Sequence, residues 1–224
     1  GRMSFISVFD VLGPNMIGSS SSHTAGAVNV ARLARQMIEP PLIRVEFTLY
    51  GSFAETYHGH GTDKALLGGI MGFATDDVRI RDSFAIADTA GLEYSFIPNF
   101  TEQDVHPNTV DIVMTNAAGK TLTVRGESIG GGAVRMVRLN GVKIEFTGEY
   151  CSLIVMQRDI PGMVAYITNA VSRRNVNIAF MHLFRDGKGG RAYTIVETDD
   201  QLPADIIQEL RAYPGVDDAI LVQA

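Results

Sequence analysis

Two stretches of this chain set histidine, glycine and hydroxyl side chains just ahead of apolar residues at helical spacing: MIGSSSSHTAGAVNVARLARQMI, residues 16–38, and GSFAETYHGHGTDKALLGGIMGF, residues 51–73. In the first, Val30, Leu33, Ala34 and Met37 recur three and four apart. That spacing predicts a helix beginning near His23 or Thr24, with Ser20, Ser21 and Ser22 at its N-terminal end. Unpaired N–H groups and a partial positive charge gather at such an end, and Gly18 lets the backbone come close to a ligand, so the pattern suits a carboxylate or phosphate. The second stretch carries His58, His60 and Thr62, then Ala65, Leu66, Ile70 and Met71 at helical spacing, with Thr62 or Asp63 placed to cap. If the two helices pack side by side, the loops converge on a small-anion pocket.

The same residues admit plainer readings. A capping serine with solvated neighbours accounts for the first loop, and a serine nucleophile with a histidine base lacks the G-x-S-x-G elbow. His58 and His60 can ligate a metal, shuttle protons near neutral pH or simply stay polar. SIGGG, residues 128–132, lies between predicted strands rather than between a strand and a helix, and reads as a bend or bulge. Asp159, Ile160, Pro161 and Gly162 sit between a strand and a helix, Pro161 at a natural first-turn position. That is a helix start, or else, with Asn175, Asn177 and Ile178 at the next turn, a receptor for the carboxylate and amine of a small ligand.

The elements that must position these residues fall into two groups. PPLIRVEFTLY alternates Ile43, Val45, Phe47 and Leu49 with Arg44, Glu46, Thr48 and Tyr50, the period of a half-buried strand. RDSFAIADTAG reads as a helix stopping at Gly91, and EYSFI as a strand. TVDIVMT, LTVRGESI, AVRMVRL and VKIEF, punctuated by AAGK, the triple glycine and Asn140-Gly141, form antiparallel hairpins. YCSLIVMQ then opens a strand-helix-strand, strand-helix-strand order, the ferredoxin-like βαββαβ pattern, which can close a small core by itself. The expected fold class is α+β, with domains at 1–148 and 149–224.

Composition narrows the classes of function. A net charge of −6, with 19 basic residues scattered among 25 acidic ones, argues against a surface that neutralises nucleic-acid phosphates. No apolar run approaches the roughly 18 to 20 residues of a membrane span. GRMSFISVFDVLG lacks the layout of a secretion signal, Gly1-Arg2 before Met3 reads as a vector-derived remnant, and a cytoplasmic location is expected. The single cysteine, Cys151, excludes an all-cysteine zinc or iron-sulfur site made by this chain alone.

MIGSSSSHTAG, YGSFAETYHGHGTD, VHPNT and SIGGG, in this order, resemble the beta subunit of the iron-sulfur L-serine dehydratases (L-serine ammonia-lyases) of the two-subunit bacterial type. The first domain is similar to the family's beta domain, itself like the allosteric substrate-binding domain of some phosphoglycerate dehydrogenases. The second, marked by DIPG and NVNI, resembles an ACT domain. The family's usual loop has proline where this chain has Ser19. The resemblance implies a lyase of amino-acid metabolism and gluconeogenesis, without pyridoxal phosphate. L-serine loses water, and hydrolysis of the resulting enamine and imine releases pyruvate and ammonia. A 4Fe-4S cluster held by the alpha subunit would act as Lewis acid on the substrate hydroxyl.

On that basis Ser20, Ser21, Ser22, His23 and Thr24 are expected to bind the substrate carboxylate or line the mouth facing the cluster, and His58, His60 and Thr62 to supply polar or proton-transfer contacts. This chain ligates no metal in that reading. Asp159, Pro161, Gly162, Asn175, Asn177 and Ile178 are expected to bind L-serine or a related amino acid as effector, with homodimer contacts through the ACT domain. Isolated, the chain is expected to fold and be inactive. A non-catalytic amino-acid-sensing subunit is the competing function, and a metal hydrolase built on His23, His58 and His60 a third, lacking a carboxylate at ligand spacing.

Overall fold

The computed structural model describes residues 18–187 and 189–223, and of residues 18–23 the backbone. Two sheets organise the chain, one of six strands in the order β2-β1-β3-β4-β5-β6 and one of four in the order β10-β7-β9-β8.

The first sheet is built from β1 (Leu42–Tyr50), β2 (Glu93–Asn99), β3 (Thr109–Asn116), β4 (Thr121–Gly130), β5 (Ala133–Leu139) and β6 (Val142–Phe146). The expected alternation holds in β1, where Val45, Phe47 and Leu49 are fully buried; Ile43, near the strand's start, is exposed. β1 pairs in parallel with β2 and antiparallel with β3. A parallel pair needs a crossover, here formed by α2 (Gly51–Thr56), α3 (Thr62–Ile70), a 3₁₀ turn (Val78–Asp82) and α4 (Ser83–Ala90), which stops at left-handed Gly91 as expected. α1 (Gly18–Arg35) lies against α3, β4 and β5 on the apolar face. The helix α1 therefore begins five or six residues before the expected start, and α2 lies inside what the sequence presents as loop.

The late hairpins follow their turn residues. Gly131-Gly132 (φ 63° and 83°) and Asn140-Gly141 (φ 49° and 82°) are two-residue turns with both residues left-handed, the geometry that matches strand twist. SIGGG is thus both the expected irregularity, a register shift between Ser128 and Gly130, and a tight turn.

β7 (Cys151–Arg158), α5 (Met163–Ser172), β8 (Ile178–Asp186), β9 (Arg191–Thr198), α6 (Asp205–Arg211) and β10 (Val216–Val222) give the ferredoxin-like order. One face of this sheet packs Leu153, Val155, Val196 and Ala219 under α5 and α6. The other face buries Ile154, Met156, Tyr193, Ile195, Ile220 and Val222 in the same core as the six-stranded sheet. The second unit therefore closes a core of its own under α5 and α6, as expected, and shares its other face with the six-stranded sheet. Burial on both faces is why β7 reads as an unbroken apolar run rather than an alternation.

Candidate functional site

β1, β2 and β4 end, and β3 and β5 begin, at one end of the six-stranded sheet. The helices α1 and α3 run in the same direction with their backbones in close approach. A Cβ added to Gly69 would stand 2.4 Å from the Val28 carbonyl oxygen, one added to Gly61 would lie 4.0 Å from Thr24 Cγ2, and Arg35 Nη1 donates to the Ile70 carbonyl at 2.8 Å. Both N-termini consequently face the end where the strands open into loops.

They are not level. A rise of about 1.5 Å per residue carries Gly18 about 9 Å beyond Thr24 along the α1 axis. The serines therefore lie within the first described turns of α1 rather than ahead of a start at His23. The side chains of Ser20, Ser21, Ser22 and His23 lie outside the described residues.

Glycines let the other strands reach this end. A Cβ on Gly26 would meet Ser128 Oγ at 1.8 Å, so α1 rests directly on the end of β4. Asn29 Nδ2 donates to the Gly132 carbonyl at 2.8 Å, holding the triple-glycine turn to the same helix. Gly51, left-handed at φ 53°, lies against the backbone of Pro107, whose carbonyl would be 2.5 Å from a Cβ there. The Asn108 carbonyl accepts from Ser128 N at 2.9 Å, and His106 Nδ1 accepts from Asn108 N at 3.1 Å. Stretches around residues 24, 61, 107, 128 and 132 thus meet at one end of the sheet.

Two buried polar atoms in this region have no hydrogen-bond partner among the described residues, Thr62 Oγ1 and Asn108 Oδ1. Such orphans cost about 1–3 kcal/mol each, a cost that a bound polar ligand offsets. Thr62 and Asp63 do not cap α3. Left-handed Gly61 (φ 76°) is the N-cap, which pushes Thr62 and Asp63 inside the first turn and buries both. Asp63 Oδ1 instead accepts from Lys64 N at 2.7 Å, and Oδ2 lies 3.8 Å from His58 Nδ1. Burial raises the Asp63 carboxyl above its ordinary pKa despite the Lys64 N–H, His58 and the Lys64 ammonium. A raised carboxyl among converging loops is a proton-transfer candidate, and it already occupies the positive end of α3. His58 is exposed, its ring 4.0 Å from that of Tyr57, and His60 is exposed as well.

A brace fixes the strand ends behind the loops. Tyr50 donates to Asp111 Oδ2 at 2.6 Å, and Arg125 grips Asp111 through Nε at 2.7 Å and Nη2 at 2.9 Å. Burial, then Asp111, pushes the Tyr50 phenol up to about 12. Asp63, Asn108, Ser128 and this brace went unnoticed as site residues. Only the position of Asp63 inside HGHGTD offered a local signal; the rest depend on strand pairing.

In the second sheet the effector candidates separate. Asp159 Oδ2 accepts from Arg185 Nε at 2.7 Å at one end, and Asn177 Nδ2 donates to Asp199 Oδ2 at 2.7 Å at the other. Asn175, left-handed at φ 58°, precedes Asn177 and half-buried Ile178 there. The length of α5, about 15 Å, lies between the two groups. Pro161 is not in the first helical turn, because left-handed Gly162 (φ 85°) is the N-cap and α5 starts at Met163.

Among the described residues no group of three or more His, Cys, Asp or Glu is placed to hold a metal ion, and no helix is long and apolar enough to cross a membrane. The serine dehydratase beta chain family model matches residues 7–93, and the ACT domain model residues 152–215. The chain is 42% identical over 200 residues to the L-serine dehydratase beta chain of Peptoniphilus asaccharolyticus, covering 89% of this chain and 90% of that one. It is 39% identical over 216 residues to the probable L-serine dehydratase beta chain of Bacillus subtilis, covering 96% of each. A D-3-phosphoglycerate dehydrogenase of Bacillus subtilis is 25% identical over 191 residues, 85% of this chain and 36% of the relative.

Proposed function

Because the chain belongs to the family of serine dehydratase beta chains, we propose that it forms one wall of the active site of a two-chain L-serine dehydratase, the other wall being an alpha subunit. The reaction removes the α-proton and the β-hydroxyl of L-serine; tautomerisation and hydrolysis of the enamine then give pyruvate and ammonia. One observation carries the reading: four stretches far apart in sequence converge on the end of one sheet where two buried polar atoms, Thr62 Oγ1 and Asn108 Oδ1, have no partner among the described residues.

The N–H groups of α1 and the side chains of Ser20, Ser21, Ser22, His23 and Thr24 would receive the substrate carboxylate. Thr62 and Asn108 would orient its polar groups. His58 and His60 would line the mouth, with Asp63 able to hold or pass a proton to His58. The 4Fe-4S cluster implied by the resemblance does not fit this chain's own residues, since the chain has one cysteine and that residue is buried in the four-stranded sheet; we assign the cluster to the alpha subunit. We divide the chain at residue 148 and place the enzyme in the cytoplasm.

The ACT unit would sense L-serine or a related amino acid. Its two candidate groups lie at opposite ends of α5, so a site using both needs a second copy that brings residues 159–162 of one chain to residues 175–178 of the other. The exposed edge strand β8, with Phe180, Met181 and Leu183 uncovered, supports pairing of that kind.

The test is an anaerobic pyruvate assay with L-serine on this chain, on the cluster-loaded alpha subunit and on their mixture. Activity in the mixture alone, lost in His23→Ala or His60→Ala while the two chains still assemble, is expected. Full activity of the alpha subunit alone would hand the lead to a purely sensing role.

A further inference from the structure

A cavity lies at the seam between the two sheets, reaching on one side the triple-glycine turn that α1 holds through Asn29. It has a volume of about 300 Å³, at the low end for small-molecule sites. Its walls come from the C-terminal half of α1 (Asn29, Arg32, Leu33) and Gln36 just past it, the turn and start of β5 (Gly132 to Val134), residues 147–149 that join the sheets, and Gln223. Of the motifs, SIGGG reaches it through Gly132; among the described residues, none of 24, 58–63, 159–162 or 175–178 lines it.

The chemistry of the walls is specific. Arg32 forms no hydrogen bond or ion pair among the described residues, and Glu149 uses only its backbone N–H, toward Thr147 Oγ1 at 3.4 Å. Every other long polar wall residue has a partner: Gln36 Oε1 accepts from Gln223 N at 2.9 Å, Gln223 Oε1 accepts from Leu202 N at 2.9 Å, and Asn29 is bound to Gly132. Among the described residues the cavity therefore offers one unpaired cation and one unpaired anion on a lining whose other long polar side chains are bonded. Opposite charges that line one small cavity without pairing to each other leave the guanidinium to take a carboxylate and the carboxylate to take an ammonium.

We propose that this seam binds a small zwitterion, an α-amino acid with a short side chain, its carboxylate on Arg32 and its ammonium on Glu149. The ligand would touch both sheets at once and the helix that carries the serines into the active site. The inference stands apart from the lyase reading, because it concerns binding and not turnover.

The test uses the full chain without its alpha partner. Binding of L-serine, L-alanine, propionate and ethylammonium is measured by calorimetry, with backbone hydrogen exchange locating each. The two amino acids are expected to bind, to slow exchange in residues 29–36 and 147–150, and to lose at least tenfold in affinity in both Arg32→Gln and Glu149→Gln; propionate and ethylammonium are expected not to bind. Both side chains are exposed, so the variants should keep wild-type melting, and the double swap Arg32→Glu with Glu149→Arg should recover most of the affinity. Binding that protects only residues 159–178 and is unchanged in both single variants overturns the proposal. So does propionate binding as well as L-alanine, or no binding of any probe.

Discussion

Replacing Gly69 with alanine isolates the contact that sets the two helix starts side by side. The new Cβ would stand 2.4 Å from the Val28 carbonyl oxygen and 2.9 Å from Ala31 Cβ, where ordinary contact begins near 3.4 Å. The obstacle is backbone, so no rotamer change relieves it and α3 must retreat from α1 by about 1 Å. Alanine gains about 1 kcal/mol of helix propensity over glycine, while overpacking costs about 1–3 kcal/mol. The net loss is then about 0–2 kcal/mol, a fall in Tm of at most about 8 °C for a chain of this size. Function should suffer more. A 1 Å misplacement of groups around a reacting substrate costs on the order of 100-fold, and α3 carries Thr62 and Asp63. Gly68→Ala is the control: its Cβ meets Ser83 Oγ at 3.0 Å, Ile80 Cγ1 at 3.1 Å and Phe73 Cδ2 at 3.3 Å, all side-chain atoms that can give way. The assays are thermal unfolding by circular dichroism and pyruvate formation with saturating alpha subunit. A Gly69→Ala variant that melts no lower than Gly68→Ala and keeps wild-type turnover would refute the reasoning.

Three other perturbations read other parts of the structure. Asp63 holds its proton more tightly folded than unfolded, chiefly through burial, so its ionisation costs stability as pH rises from its ordinary value of 3.8 through the raised folded value. Asp63→Asn keeps an acceptor for Lys64 N; urea unfolding should show it gaining on the wild type at pH 7 and the gain shrinking toward pH 4, and equal differences at both would rule this out. Asp218 joins the sheets through Lys120 and also meets Arg211 Nε at 2.8 Å. Burial raises its pKa, but Lys120, the Ala219 N–H and Arg211 together bring it below the ordinary value; the stability it contributes is thus present above pH 3.8 and lost as pH falls through the depressed value. Asp218→Asn should cost about 1.5–3 kcal/mol at pH 7, measured by urea unfolding, with no loss counting against the link. Leu183→Lys on the exposed edge strand β8 should shift the chain toward monomer in sedimentation velocity; an unchanged distribution would remove β8 as the pairing edge.

Which parts of this were legible follows from how local each signal is. The hairpins between β3 and β6 were, because AAGK, the glycine pair at 131–132 and Asn140-Gly141 specify their turns within a few residues. The start of α1 was not: serine favours caps over helix interiors, so a run of four obscures a helix that passes through them. α2 has six residues, too few for a periodicity to show. Gly61 took the cap position expected of Thr62 or Asp63, and Gly162 as cap left Pro161 outside the first turn expected of it, since a left-handed glycine closes a helix start without a side chain. The parallel pairing of β1 with β2 across 42 residues of crossover, which fixes the order of the first sheet, left no local trace. The orphaned Asn108 and the brace on Asp111 could be found only once that order was known.

The sharing of one core by both sheets bears on how the ACT unit can influence the loop end. A hinge between two independent bodies would need a dry interface to open, and here that interface includes Ile154, Met156, Ile195, Ile220 and Val222, all but Met156 and Ile220 fully inaccessible to solvent. Exposing such side chains costs about 1.5–3 kcal/mol each, more than a single small ligand repays at ordinary concentrations. The cheaper coordinate is α1. Its start carries the serines, Gly26 sits on β4, Asn29 holds the triple-glycine turn, and Gln36 receives the backbone N–H of Gln223 from the second unit. A small shift of this one helix changes the loop end and the seam together while both sheets stay packed. An amino acid that binds one position of α1 better than another therefore shifts the loop end by the difference in its two affinities, without the sheets parting.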